Sequence, residues 1–249
     1  MKNKVRADLL CVVRGLCSSR SQARGMILAG QVRIGSDRLV EKPGEMLPED
    51  CDLRILHPSP YVGRGADKLA PALSAHLPDL DGRIALDIGA ATGGFTDLLL
   101  QRGAAKVYAV DVGYGQLHLK LRQDPRVVCL ERVNARYLDR ELIPESIEVL
   151  TVDVSFISLA KIIPAAAALL APEAWIFLLV KPQFEAARQE IAKGGVVRDE
   201  TVRLRCVEKI AAFAGHHCGW CDCGTIASPI TGPKGNQEYI LTMRASRRD

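Results

Sequence analysis

The chain has 249 residues, of which 48% are hydrophobic, and a net charge of +4; that length can bury one large core, or a medium core beside a small one. The most apolar segment, residues 162–180, is broken by Pro164, Pro172 and Glu173, and residues 9–13 are too short for a secretory signal, so no membrane association is expected. With no sign of export, the eight cysteines are expected as reduced thiols in a cytoplasmic protein.

The charge is unevenly placed. Residues 1–33 carry seven Lys and Arg against one acid, the footprint of a module that docks on a polyanion. Two helical periodicities follow one another at residues 7–15 and 19–30, with Ser18 or Ser19 as N-cap of the second and Gly30 as its stop. A short strand is expected at residues 32–35, a polar Pro- and Gly-containing connection at 41–50, and a strand at 53–56. Together these form a small α+β unit over residues 1–57. His57-Pro58-Ser59-Pro60 then favours extended chain, and residues 58–64 read as a linker.

From residue 65 the rhythm changes, beginning with a helix over 67–76. Short apolar strands are expected at 84–87, 106–110, 127–130, 149–153 and 175–181, and helices at 95–101, 159–170 and 200–214. Fully apolar strands alternating with helices predict a doubly wound, mainly parallel sheet. Residues 225–230 and 238–243 flank a turn-rich connection and add two antiparallel strands, giving an α/β seven-stranded, Rossmann-like domain over 65–249.

The first of those strands runs into Asp87-Ile88-Gly89-Ala90-Ala91-Thr92-Gly93-Gly94-Phe95. Glycines between a strand and a helix let a ligand approach backbone, yet the spacing lacks the Gly-x-Gly-x-x-Gly that admits a pyrophosphate. Asp111 ends the next strand, where an acid accepts hydrogen bonds from ribose hydroxyls. The set fits S-adenosyl-L-methionine, with Gly89, Ala90, Thr92, Gly93, Gly94 and Phe95 cradling it, Asp87 facing its cationic end and Asp111 and Val112 on the ribose side. Asn134 would lie beside the adenine, although an Asn after a strand also serves simply as a turn residue. Glycines that only pack strand on helix are the plain alternative.

Asp153 and Lys181 end two apolar strands, and carboxyl-end residues of an open α/β sheet face its ligand crevice. A buried lysine beside an acid is costly unless it has a task. Lys68, Asp153, Lys181 and Glu238 stand in the contexts Gly65-Ala66-Asp67-Lys68-Leu69, Asp153-Val154-Ser155-Phe156, Val180-Lys181-Pro182-Gln183-Phe184-Glu185 and Gly235-Asn236-Gln237-Glu238. This set resembles the Lys-Asp-Lys-Glu tetrad of FtsJ-like ribose methyltransferases. With Tyr61-Val62-Gly63-Arg64-Gly65, Gly194-Gly195-Val196-Val197-Arg198-Asp199 and Ser228-Pro229-Ile230-Thr231-Gly232-Pro233-Lys234, the whole chain is similar to the TlyA (hemolysin A) family. The resemblance implies a cytidine 2'-O-methyltransferase acting on ribosomal RNA within a ribosomal subunit, expected from the chain's short ends to be the large one. Within that set Lys181 is expected as the base, Asp153 as its orienting group and Glu238 as the holder of Lys68. A base must lie within hydrogen-bond reach of the 2'-hydroxyl, and Lys68 would help by repulsion to keep Lys181 neutral.

Residues 4–56 resemble the alpha-L RNA-binding domain of ribosomal protein S4, on Arg6-Ala7-Asp8, Ser19-Arg20-Ser21-Gln22-Ala23 and Gly30-Gln31-Val32-Arg33-Ile34-Gly35. The implied phosphate contacts are Arg6, Arg20, Arg24 and Arg33. His216-His217-Cys218-Gly219-Trp220-Cys221-Asp222-Cys223 looks like a metal site but lacks a second ligand pair at zinc spacing, so incidental thiols are expected and no metal is assigned. The competing readings are an RNA-binding assembly factor with a vestigial cofactor site and a membrane-lytic hemolysin. Oligomeric state is left open.

Overall fold

The structure, a computed structural model, describes residues 4–28, 30–35, 38–55, 60–232 and 234–246. It divides into two compact units, Met1–Pro60 and Tyr61–Asp249. In the first unit β1 (Lys4–Arg6) leads into α1 (Ala7–Val13) and α2 (Arg20–Leu28), followed by β2 (Val32–Ile34), β3 (Arg38–Leu39), β4 (Met46–Pro48) and β5 (Leu53–Ile55). Ser19 Oγ accepts from the Gln22 N–H at 3.2 Å, the cap expected at the start of α2. The connection expected at 41–50 instead holds β4, which pairs antiparallel with β1. β2 pairs with β3 and β5. Leu10, Cys11, Ile27, Val32, Leu47 and Leu53 close a core of their own. Residues 56–59, which include most of the proline-rich stretch expected to be extended, lie outside the described residues.

The second unit runs α3 (Gly65–His76), β6 (Ile84–Ile88), α4 (Gly94–Gln101), β7 (Lys106–Asp111), α5 (Leu119–Arg122), β8 (Val127–Glu131), β9 (Ile147–Val152), α6 (Ile163–Ala167), β10 (Leu170–Val180), α7 (Pro182–Glu185), α8 (Glu200–Cys218), β11 (Cys221–Ala227) and β12 (Tyr239–Arg244). The sheet order is β11-β12-β10-β9-β6-β7-β8. β12 lies antiparallel to both of its neighbours, and the remaining pairs are parallel.

The strands are apolar on both sides because both faces are covered. Leu86, Ile88, Ile176 and Leu178 point to one core, which also takes Ile163 and Ile210 from α6 and α8. Ala85, Phe177 and Leu179 point to the other, filled by Leu69 and Leu73 of α3 and Leu98 and Leu99 of α4. The period-2 alternation of a strand divides its residues between the two layers.

The helix expected over 159–170 is a correction. The chain there forms a 3-10 turn at Leu159–Lys161, then only α6, and Leu170 already pairs with Ile147 as part of β10. Pro164 opens α6 rather than sitting within a long helix, and Glu173 at φ 60 bends the strand between its two paired stretches.

Candidate active site

The strand order reverses at the β6/β9 pair, and the carboxyl ends there open the crevice of a doubly wound sheet. The glycine loop leaves β6 at this point. Gly89 has φ +84, and a Cβ on it would stand 2.3 Å from the Asp153 carbonyl oxygen; Gly93 has φ +97, and a Cβ there would stand 2.1 Å from the Leu121 side chain. Both positions therefore require glycine, Gly89 for a close approach to the β9 loop and Gly93 for packing on α5. Tyr61 to Arg64, expected as linker, belong to this unit: the Val62 N–H donates to Asp97 Oδ2 at 2.8 Å.

Two adjoining pockets share Gly89, Ala91 and Asp153. One, of about 300 Å³, is lined by Ala90, Thr92, Gly94, Phe95, Lys68 and Thr231 among others. The second, of about 380 Å³, runs past Asp111, Val112, Asn134 and Phe156. Asp111 is fixed at its strand tip: Oδ2 accepts from the Ala91 N–H at 2.9 Å and Oδ1 from the Gly113 N–H at 2.7 Å. Asn134 lines the pocket while its Oδ1 accepts from the Arg136 backbone at 3.2 Å, so it is turn cap and pocket wall together.

Asp87 departs from the expectation that it faces the ligand. Its carboxylate is fully buried, accepts from Thr96 Oγ1 at 2.6 Å and Thr151 Oγ1 at 2.9 Å, and lines neither pocket. Strand alternation sends it with Ala85 toward α4, and Thr151 is its register partner on β9. Burial raises its pKa to about 6, against the lowering effect of the two threonine hydroxyls.

The four tetrad residues form two ion pairs. Lys68 Nζ lies 2.6 Å from Glu238 Oε2, and Lys181 Nζ lies 2.6 Å from Asp153 Oδ1. Lys181 is 8% exposed and also donates to Ser155 Oγ at 2.8 Å. The Lys181–Asp153 contact is off hydrogen-bond angles, so Oδ1 retains acceptor capacity. Gln183 Nε2 reaches Glu238 Oε1 at 3.3 Å. Glu185 accepts from Ser158 Oγ and the Leu159 N–H, both at 2.7 Å, and so ties the loop after β9 to α7. Sequence reading gave no role to Ser155, Gln183 and Glu185; their signal was proximity to the strand-end acid and lysine. Phe156, 91% exposed at φ 64, presents an aromatic face at the pocket rim.

In the first unit, Arg6 and Arg20 converge on the buried carboxylate of Asp8. Arg6 Nη2 lies 2.9 Å and Arg20 Nη2 3.0 Å from Oδ2, and Arg6 above all holds the Asp8 pKa down to about 2. Both arginines stay about half exposed. Arg24 is exposed on α2, and Arg33 stands opposite Arg54 across the β2/β5 ladder.

A family model described as FtsJ-like methyltransferase matches residues 61–245, and one described as S4 domain matches residues 5–48. The chain is 47% identical over 246 residues to the 16S/23S rRNA (cytidine-2'-O)-methyltransferase TlyA of Mycobacterium tuberculosis, a match covering 98% of this chain and 91% of that one. The chain belongs to the TlyA family of FtsJ-like methyltransferases. Within the same family, the 23S rRNA (cytidine-2'-O)-methyltransferase TlyA of Campylobacter jejuni is 38% identical over 72% of this chain and 69% of its own length. A solved structure of a hemolysin-named protein from Streptococcus thermophilus is 39% identical, with a TM-score of 0.76 over 99% of this chain and 90% of that one. Among the described residues of this TlyA-family chain, no helix is long and apolar enough to cross a membrane. Nor do three or more His, Cys, Asp or Glu side chains come together there as a metal-ligand set. His216, His217 and Cys218 form the last turn of α8, closed at Gly219, while Cys221 and Cys223 lie on β11.

Proposed function

We propose that the protein methylates the ribose 2'-hydroxyl of a cytidine in ribosomal RNA, using S-adenosyl-L-methionine, with Lys68, Asp153, Lys181 and Glu238 as its catalytic set. The observation that carries this reading is Lys181, buried at a carboxyl strand end, paired with Asp153 on the wall of the cleft that the glycine loop also lines. The cleft suits the cofactor: Gly89, at φ +84, carries bare backbone along the pocket wall, and Asp111 is held by two backbone N–H groups with oxygen lone pairs left for a ribose. Asp111 would hold the ribose hydroxyls with Val112 beside them, Asn134 would lie by the adenine, and residues 89–92, 94 and 95 would hold the amino-acid end; Asp87 supports the loop from beneath. When bound, S-adenosylmethionine supplies an electrophilic sulfonium methyl group.

Once its ammonium has given up a proton to solvent, Lys181 Nζ would accept the 2'-hydroxyl proton as the oxygen attacks. Asp153 and Ser155 aim that amine, and Asp153 stabilises the ammonium that results. Glu238 fixes Lys68, a residue of the pocket wall, whose ammonium would donate to the developing alkoxide. The arginines of the first unit, Arg6, Arg20, Arg24 and Arg33, supply phosphate contacts that select structured RNA by shape. The proposed substrate is large-subunit RNA, because 23S RNA is common to the names of both relatives, and the proposed site of action is the cytoplasm.

Incubating the protein with methyl-labelled cofactor and separated ribosomal subunits tests this. Label is expected on a cytidine ribose of the large subunit. Lys181→Ala is expected to lower transfer by roughly a hundredfold or more while cofactor affinity, measured by titration calorimetry, is retained. Near-wild-type turnover in that variant removes Lys181 from the role of base, and absence of any transfer to RNA favours a binding factor without chemistry.

A further inference from the structure

The loops that follow β7 and β8 carry a feature that the cofactor cradle does not use. Arg132, a non-glycine residue, is held at φ 59, a left-handed backbone conformation that persists only where its surroundings enforce it. The enforcement is visible: the Arg132 N–H donates to the Gly113 carbonyl and the Val133 N–H to the Asp111 carbonyl, both at 3.0 Å. The two loops are thereby fastened together. The result places the Arg132 guanidinium 4.2 Å from the centre of the Tyr114 ring. Tyr114 is nevertheless 69% exposed.

A second pair repeats the arrangement a few residues on. Arg136 lies 5.3 Å from the centre of the Tyr137 ring, its Nε donates to Asn134 Oδ1 at 3.2 Å, and Tyr137 is also 69% exposed. Both pairs sit beside pocket walls: Tyr114 between Val112 and Gln116, Arg132 next to Val133, and Arg136 on Asn134. Large aromatic faces open to water, each with a cation against it, do not contribute a packed core. They match what an unpaired nucleic acid offers: flat bases to stack and phosphates to neutralise. A protein partner is less well matched, since the rings come with fixed cations rather than as an apolar patch.

We infer that Tyr114 with Arg132 and Tyr137 with Arg136 form a second RNA-binding surface on the catalytic unit, one that takes unpaired nucleotides flanking the methylated position. This rests on the RNA-methylating reading above and adds to it where the substrate strand leaves the cleft. Stacking keeps the strand splayed beside the pocket, and the two guanidinium groups neutralise its backbone.

The test uses the full-length protein, unmethylated large ribosomal subunits and two readouts. In Tyr114→Ala/Tyr137→Ala, subunit binding measured by sedimentation without cofactor is expected to weaken about tenfold or more, in line with lost base stacking. KM for subunits should rise in parallel, with kcat at saturation and cofactor affinity by calorimetry within about twofold of wild type. Tyr114→Phe/Tyr137→Phe keeps the ring faces and is expected to bind as wild type does, and Arg132→Ala should flatten the salt dependence of binding. Unchanged subunit affinity in the double alanine variant overturns the proposal. So does a matching loss of cofactor affinity, which would assign the rings to the cofactor pocket. If wild-type protein transfers no methyl group but the alanine variant still binds subunits tenfold more weakly, the surface stands and the catalytic reading falls.

Discussion

Asp87 ends a buried strand with its carboxylate sealed from water and satisfied by two threonine hydroxyls. Its pKa of about 6, against 3.8 for an exposed aspartate, means that the folded state binds this proton more tightly than the unfolded chain does. Stability contributed by the group is therefore full below about pH 4 and is lost as pH rises through about 6. Roughly two units at about 1.4 kcal/mol each correspond to about 3 kcal/mol. Asp87→Asn removes the titration, so the wild-type minus variant unfolding free energy should fall by about that amount between pH 4 and pH 7 in denaturant titrations. Parallel pH profiles for the two proteins would rule this out. The glycines, Asp111, Asp153 and Lys181 could be read from sequence because strand-end position alone puts them at the crevice. Asp87 could not, because which face its side chain takes depends on the strand's register with β9, and register is not local information.

At the scale of elements, the connection from β11 to β12 does more than turn the chain. Asn236 is buried, accepts from the Val197 N–H at 3.0 Å and donates to the Gly195 carbonyl at 2.9 Å. It clamps the segment carrying Gly194 to Val197 onto the loop that delivers Glu238 to Lys68. Asn236→Ala leaves the buried Val197 N–H and the part-buried Gly195 carbonyl without their side-chain partner and is expected to cost about 2–3 kcal/mol. Because Glu238 is two residues away, methyl transfer should fall more than cofactor affinity; thermal unfolding and calorimetry on the same variant check both. The strands of the sheet were legible as apolar runs between turn signals. α6 and β4 were not: Pro164 and Glu173 shorten and bend segments whose composition suits a longer helix, and a three-residue strand such as Met46–Pro48 exists only because Lys4–Arg6 pairs with it.

At the scale of the whole molecule, the two units have separate hydrophobic cores, so denaturant unfolding should show two transitions. Asp8 belongs to the smaller core. Its pKa, held near 2 by Arg6 and then Arg20, lies below the unfolded value, so its contribution is present above about pH 4 and is lost as pH falls toward 2. Asp8→Ala is expected to lower the amino-terminal transition by about 1–2 kcal/mol at pH 7, modest because both arginines are half exposed, and to leave the catalytic transition unmoved. A shift in both transitions would contradict the independence of the cores.

The sequence by itself determined the two-part organisation, the doubly wound sheet, the glycine loop and the motif residues of the site, because each follows from local periodicity, turn chemistry or strand-end position. Only the tertiary structure decided that Lys68 pairs with Glu238 across 170 positions, that Asp87 lies under the loop rather than in the cleft, and that Arg132 lies against Tyr114. Those outcomes depend on the register and crossover of strands distant in sequence, and it is the simultaneous packing of both sheet faces that fixes them.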